Sequence, residues 1–190
     1  MNDDLIPATR GSGPLLQRDY WAVLGGCALK PSAVMTYVKS HFCELPPAAL
    51  VSFLAPAGLE KNAELDIRIK PAQSCRVRVL HEDPQSITLG TLKGHPEAGR
   101  ITFGAYRNAA GDLIFHIRSR ARSASASTRV GFLAIGDAMQ TNTWTDFINN
   151  TAAAVGASIR DAIRAETTEV EELPEDDHPL VSPTFLAVGD

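Results

Sequence analysis

The sequence predicts an α+β domain in which a run of antiparallel strands is followed by one long helix, and three observations predict it. Between residues 65 and 120 apolar side chains recur at every second position, the mark of strands with one wet face. The segments joining those strands are too short to hold crossover helices, so neighbours must run antiparallel. From Thr143 onward the period lengthens to that of an amphipathic helix. With 190 residues, 44% of them hydrophobic and 21% charged, the chain can bury one sizeable core without disulfides or metal.

Tyr20 to Leu24, aromatic and β-branched ahead of Gly25 and Gly26, reads as the first strand. Two short helices are expected after it. Pro31 suits a first helical position, and Val34, Tyr37, Val38 and His41 repeat at helical spacing. Pro46 and Pro47 are expected to open the second helix, with Leu50, Phe53 and Leu54 as its apolar face and a stop before Pro56 and Gly58. Leu65, Ile67 and Ile69 then alternate with Asp66, Arg68 and Lys70, and Val77 and Val79 with Arg76 and Arg78. Ile87 to Leu92, Arg100 to Arg107 and Asp112 to Arg120 continue the series, the last two joined by a turn at Asn108 to Gly111. The expected sheet has about six strands. Thr143 and Asp146 resemble a capping pair at the start of the last helix, whose face would run through Trp144, Ile148, Thr151, Val155, Ile159 and Ala162, widened by Phe147 and Ile163. Gly156 would sit inside that helix at a cost of about 1 kcal/mol relative to alanine.

Three segments follow from composition. Residues 1–14, polar and broken by Gly11, Gly13 and Pro14, are expected to be a disordered leader; residues 15–166 form the domain; residues 167–190, crowded with acidic side chains and prolines, are expected to be a mostly disordered tail. A net charge of -4 argues against nucleic acid or an anionic membrane as the main partner. Cys27, Cys43 and Cys75 form no close pair, which suggests neither a disulfide framework nor a zinc site. The first thirteen residues lack the features of a secretion signal, and no uncharged apolar run approaches the ~20 residues that span a bilayer, so a cytoplasmic protein is expected. No cofactor or metal is implied, and the chain is compatible with a homodimer.

The order of strand, two short helices, antiparallel strands and long final helix resembles the helix-grip fold of START-type lipid-transfer domains, the birch-pollen-allergen (Bet v 1-like) group and polyketide cyclases. Gly90-Thr91-Leu92-Lys93-Gly94-His95-Pro96-Glu97-Ala98-Gly99, followed by a hairpin from Ile101 to Ser119, also resembles a bacterial and plant family of unknown function, DUF1990. The resemblance implies a curved sheet wrapped on the last helix. It carries no catalytic residues with it.

A curved sheet cannot touch a straight helix along its whole length, and the gap becomes a mostly apolar pocket. Phe103, Phe115 and Ile117 from the strands and Trp144, Phe147 and Ile148 from the helix are the candidate lining, the alternative being that they simply fill a core. His95 and Glu97 are candidate acid–base groups, since a nearby carboxylate raises an imidazole's pKa; the alternative is a structural turn. Arg118 and Arg120, sharing a strand face with His116, could meet an anionic ligand, or could belong to a solvated outer surface. No phosphate loop, nucleophile elbow or zinc-protease motif is present. The leading expectation is a domain binding a hydrophobic or amphipathic small molecule. A cyclase- or hydratase-type enzyme is the second, and an interaction protein with a filled core the third. A void of roughly 300 Å³ or more would favour the first.

Overall fold

The chain begins to pair at residue 4, well ahead of the first expected strand. The computed structural model describes residues 4–71, 73–126 and 129–171. Lys93 donates its N–H to the carbonyl of Asp4 at 2.7 Å, Leu5 bridges Leu92, and Ile6 bonds Thr91 at 2.9 Å. The segment expected as a leader is therefore part of the sheet from residue 4, because paired backbone groups and buried Ala8 and Leu15 offset the entropy that its composition alone does not. Met1 to Asp3 lie outside the described residues, as does the expected acidic tail beyond residue 171.

The first strand, β1 (Ser12–Gly25), is followed by α1 (Pro31–Ser40), which opens with a proline in its first turn and buries Val34, Met35 and Val38. The second expected helix is absent. Residues Val51–Leu54 form β2, with Val51 and Phe53 buried and Ser52 and Leu54 exposed. Leu50, Phe53 and Leu54 fit a helical spacing by coincidence; Leu54 is 60% exposed, so pairing with the next strand decides the conformation.

β3 (Glu64–Ile69), β4 (Gln73–Asp83), β5 (Ser86–Thr91), β6 (Glu97–Arg107) and β7 (Leu113–Ser123) form the expected antiparallel meander. The long helix α2 (Arg129–Ala154) both starts and stops earlier than the periodicity suggests. Gly156, at φ +70°, ends it: Gly156 N–H bonds Ala153 O at 3.2 Å and Ala157 N–H bonds Ala152 O at 2.9 Å, a paired closure that needs the left-handed residue. Val155, Ile159 and Ile163, expected on the helix face, instead follow its end. The last two belong to an eighth strand, β8 (Ser158–Val170). Among the described residues the sheet thus has eight strands in the order β2-β3-β4-β5-β6-β7-β1-β8, not about six, and a strand follows the long helix.

One core lies on the inner face of the sheet, under α1 and α2. It gathers Tyr20, Ala22 and Leu24 from β1, Val77 and Val79 from β4, Ile87 and Leu89 from β5, Phe103 from β6, and Phe115 and Ile117 from β7 against Phe147, Ile148 and Ala152 of α2. Among the described residues no helix is long and apolar enough to cross a membrane.

Candidate functional site

The centre of the inner face is solid. Phe147 stacks on Phe115 with ring centroids 6.1 Å apart and planes at 6°, and lies 5.2 Å from Phe103, against which Phe42 packs edge-on at 5.0 Å. Phe103, Phe115, Ile117, Phe147 and Ile148 are all fully buried. These expected pocket residues therefore fill the core, since rings at contact distance leave no room for a guest.

The space that remains lies toward the end of the sheet where β5 finishes and β6 begins. There Met139, Gln140, Thr143 and Trp144 of α2 face Val77, Leu89, Ile101 and the β2–β3 residues Val51 and Ile67 across a cavity of about 120 Å³. Of the residues expected to line a pocket, Trp144 does so, its ring 5.5 Å edge-on from Phe103. Thr91, His95, Glu97, Arg100 and Ser119 complete the polar part of the wall. The cavity is smaller than the 300 Å³ expected of a binding domain of this kind because the phenylalanine cluster occupies the middle.

His95 and Glu97 both reach the cavity, but not as a pair. The His95 N–H bonds Leu92 O at 2.9 Å, closing the turn, and its ring folds back so that Nδ1 sits 3.0 Å from both the N–H and the carbonyl oxygen of Glu97. The Glu97 carboxylate turns instead to Arg18, 3.3 Å away. Burial pushes the His95 imidazole down to about 4, opposite to the upward shift expected from a neighbouring carboxylate. His95 is consequently a neutral ring near pH 7. Because the unfolded imidazole titrates near 6.5 and the folded one near 4, only the unfolded chain gains a proton as pH falls between those values. Folding stability should therefore drop by about 2–3 kcal/mol between about pH 7 and about pH 4 from this residue. Urea titrations of the protein and of His95→Gln at both ends of that range measure it; equal slopes would remove the assignment.

Arg18 is the residue that sequence reasoning passed over. Placing the first strand at Tyr20 left it outside, yet the alternation that points Tyr20, Ala22 and Leu24 inward points Arg18 inward too, where it is 4% exposed beside its register partner Ser119. An inward cation on a strand was the available signal. Cys75, also on the inner face, is buried, and burial together with the Glu97 charge raises its thiol to about 12, so it stays protonated. Arg118 faces the other way: its Nε donates to Asp19 Oδ1 at 2.5 Å on the outer face, and Arg120 follows two residues on. Neither lines the cavity. Among the described residues no group of three His, Cys, Asp or Glu side chains is placed to hold a metal ion.

The sequence pattern of a domain of unknown function, DUF1990, matches residues 44–150, more than half of the chain. The chain belongs to that family. No curated protein matches it. Several solved structures are similar in fold to this DUF1990 protein. A solution structure of KanY is similar with a TM-score of 0.56 at 8% identity, covering 76% of this chain and 99% of that one. A point mutant of norcoclaurine synthase from Thalictrum flavum, in complex with a transition-state analogue, gives 0.54 at 9% identity, over 76% of this chain and 96% of the synthase. The di-domain ARO/CYC protein StfQ of the steffimycin biosynthetic pathway gives 0.53 at 9% identity over 75% of this chain, which spans 51% of that longer protein. At such identities the likeness shows the helix-grip fold, with the DUF1990 segment running from the turn before β2 to within α2.

Proposed function

We propose that this domain binds a small, largely apolar molecule carrying a hydrogen-bonding oxygen, held in the cavity between the sheet and α2. One observation carries the reading: among the described residues, Ser119 Oγ and Trp144 Nε1 are buried atoms without a hydrogen-bond partner, and both residues belong to the cavity wall. A buried polar group left unmade costs about 1–3 kcal/mol, and an occupant's oxygen would satisfy both. The volume of about 120 Å³ suits a single six-membered ring or a short acyl group, so a longer amphipathic ligand would insert one end only. Arg18 meets the Glu97 carboxylate at 3.3 Å, and Arg100 is the other charged residue of the cavity wall. The free thiols of Cys27, Cys43 and Cys75 fit a reducing compartment such as the cytoplasm.

Mass spectrometry of small molecules that copurify with the protein, together with titration of acetophenone as a neutral probe, tests the reading. Saturable quenching of Trp144 is expected. Ser119→Ala should weaken acetophenone about fivefold while leaving the unliganded protein as stable or about 1 kcal/mol more stable, because the substitution removes a desolvated hydroxyl. An affinity unchanged by that substitution, with nothing copurifying, would count against the site. Neutral His95 favours a second reading, a cyclase- or hydratase-type enzyme in which its Nε2 meets the carbonyl of a bound substrate. Imidazole resonances of His95 that stay still while acetophenone saturates would rule that out.

A further inference from the structure

At its β2 border the outer face of the sheet carries a second cavity, of about 660 Å³ and of different chemistry. Strands β2, β3 and β4 form its floor, and Lys93 and Gly94 of the turn after β5 complete its wall. Register places Ser52, Arg68 and Ser74 side by side on the three strands, with Leu54, Asp66 and Arg76 as the neighbouring row. All six are exposed, as the alternation along these strands requires.

The cations of this face are not equally committed. Glu64 takes Arg76 Nη1 at 2.7 Å and Arg78 Nη2 at 2.6 Å. Among the described residues the side chains of Arg68 and Lys93 make no ion pair, and neither they nor the hydroxyls of Ser52 and Ser74 make a hydrogen bond. The cavity wall itself sets three cations, Arg68, Arg76 and Lys93, against one anion, Asp66. Counting Glu64 together with the Arg78 it binds leaves that excess of two unchanged. Counting Asp4 as well, whose carbonyl accepts the Lys93 N–H, still leaves an excess of one among the described residues. The site therefore attracts an anion although the chain as a whole carries -4. Two guanidinium groups, an ammonium and two hydroxyls offer more donors than the two oxygens of a carboxylate accept, and suit the three terminal oxygens of a phosphate. The volume lies in the range of small-molecule sites, more than a phosphate alone fills, and Leu54, 60% exposed, offers the rest of a ligand an apolar surface.

We propose that this outer cavity binds a soluble phosphate monoester with an apolar body, the phosphate held by Arg68, Arg76 and Lys93 beside Ser74 and the body lying on Leu54. Calorimetric titration of 1-naphthyl phosphate into the full chain should show one saturable site, weakened by added sodium chloride. Arg68→Gln and Lys93→Gln should each weaken binding about tenfold, and together abolish it. Both side chains are exposed and unbonded, so the melting temperature should not move. Arg107→Gln, which removes a cation from the far end of β6, should leave the affinity within about twofold. 1-Naphthyl sulfate, with the same ring and a tetrahedral group of one charge fewer, should bind about tenfold less tightly. In the unsubstituted chain the amide resonances of Ser74 and Gly94 should shift with the ester, with or without acetophenone, which probes the opposite face. Heat without saturation, unchanged affinity in both Arg68→Gln and Lys93→Gln, an equal loss in Arg107→Gln, or sulfate bound as well as phosphate would each overturn the proposal. So would tighter association with phosphatidylcholine vesicles containing phosphatidic acid than with the naphthyl ester, which would make the face a membrane contact.

Discussion

Phe147→Ala is expected to cost about 3–5 kcal/mol of folding stability, a large share of the 5–15 kcal/mol typical of a whole domain. Phe147 is fully buried where α2 meets the sheet, and its ring touches those of Phe42, Phe103, Phe115 and Trp144. Truncation removes the apolar transfer term and leaves a hole bounded by rigid rings from two strands, which cannot collapse into it. The preferred tilted and stacked ring geometries add roughly 0.5–1.5 kcal/mol each beyond area. The urea midpoint should fall at unchanged slope. A loss below about 1 kcal/mol would mean that the cluster is looser than its distances indicate.

Gly99→Ala should be comparably damaging, at about 4 kcal/mol, although it adds one carbon and removes nothing. Gly99 has φ +149°, a conformation that L side chains rarely adopt, and a Cβ there would stand 2.2 Å from the carbonyl oxygen of Arg120 and 2.7 Å from the Cα of Ala121. Both obstacles are backbone of the paired strand β7. The Gly99 N–H also bonds Thr91 Oγ1 and Ile6 O, each at 3.0 Å, so moving the backbone aside would break the junction that holds residues 4–6 to the sheet. Gly90→Ala is the control: its Cβ would meet Leu80 Cδ1 at 2.6 Å, the end of a side chain that can rotate, and a cost below about 2 kcal/mol is expected. Thermal or urea unfolding of both variants gives the comparison, and equal losses would contradict the backbone-clash argument.

The strands were legible where one face is wet. Leu65 to Ile69 and Val77 to Val79 alternate cleanly and stand in β3 and β4. Two errors share one cause, that a short window cannot distinguish a period of two from one of 3.6 when pairing partners are unknown. Leu50, Phe53 and Leu54 read as a helix until β3 is seen beside them. Val155, Ile159 and Ile163 continue a helical count through Gly156, where the chain in fact leaves α2. That glycine, read as a costly interior residue, was the stop signal.

The site was partly legible. Trp144, His95 and Glu97 reach the cavity, while Phe103, Phe115 and Phe147 could not be separated from pocket lining by pattern, since apolar residues on an inner face look alike whether they touch one another or a ligand. The arginines divide differently. Arg118, for which the pattern allows a ligand-facing or an outer position, lies on the outer face, while Arg18 lies inside, because the first strand begins at Ser12 and its inward face cannot be counted from a later start.

An open sheet has two borders, and each exposes a row of unsatisfied backbone groups to any other chain with a matching row. β2 limits its border by being four residues long. β8 is much longer, and its protection is chemical: Arg160, Asp161, Arg164, Glu166 and Glu169 stud it, and Asp161 interrupts its extended course at φ +65°. Carrying the chain on past α2 therefore moves the rim of the described sheet from β1, whose Tyr20, Ala22 and Leu24 anchor the core, onto a charged strand of irregular course. Among the described residues β8 works as a selvedge, a bound border whose charges and kink make it a poor template for a further strand.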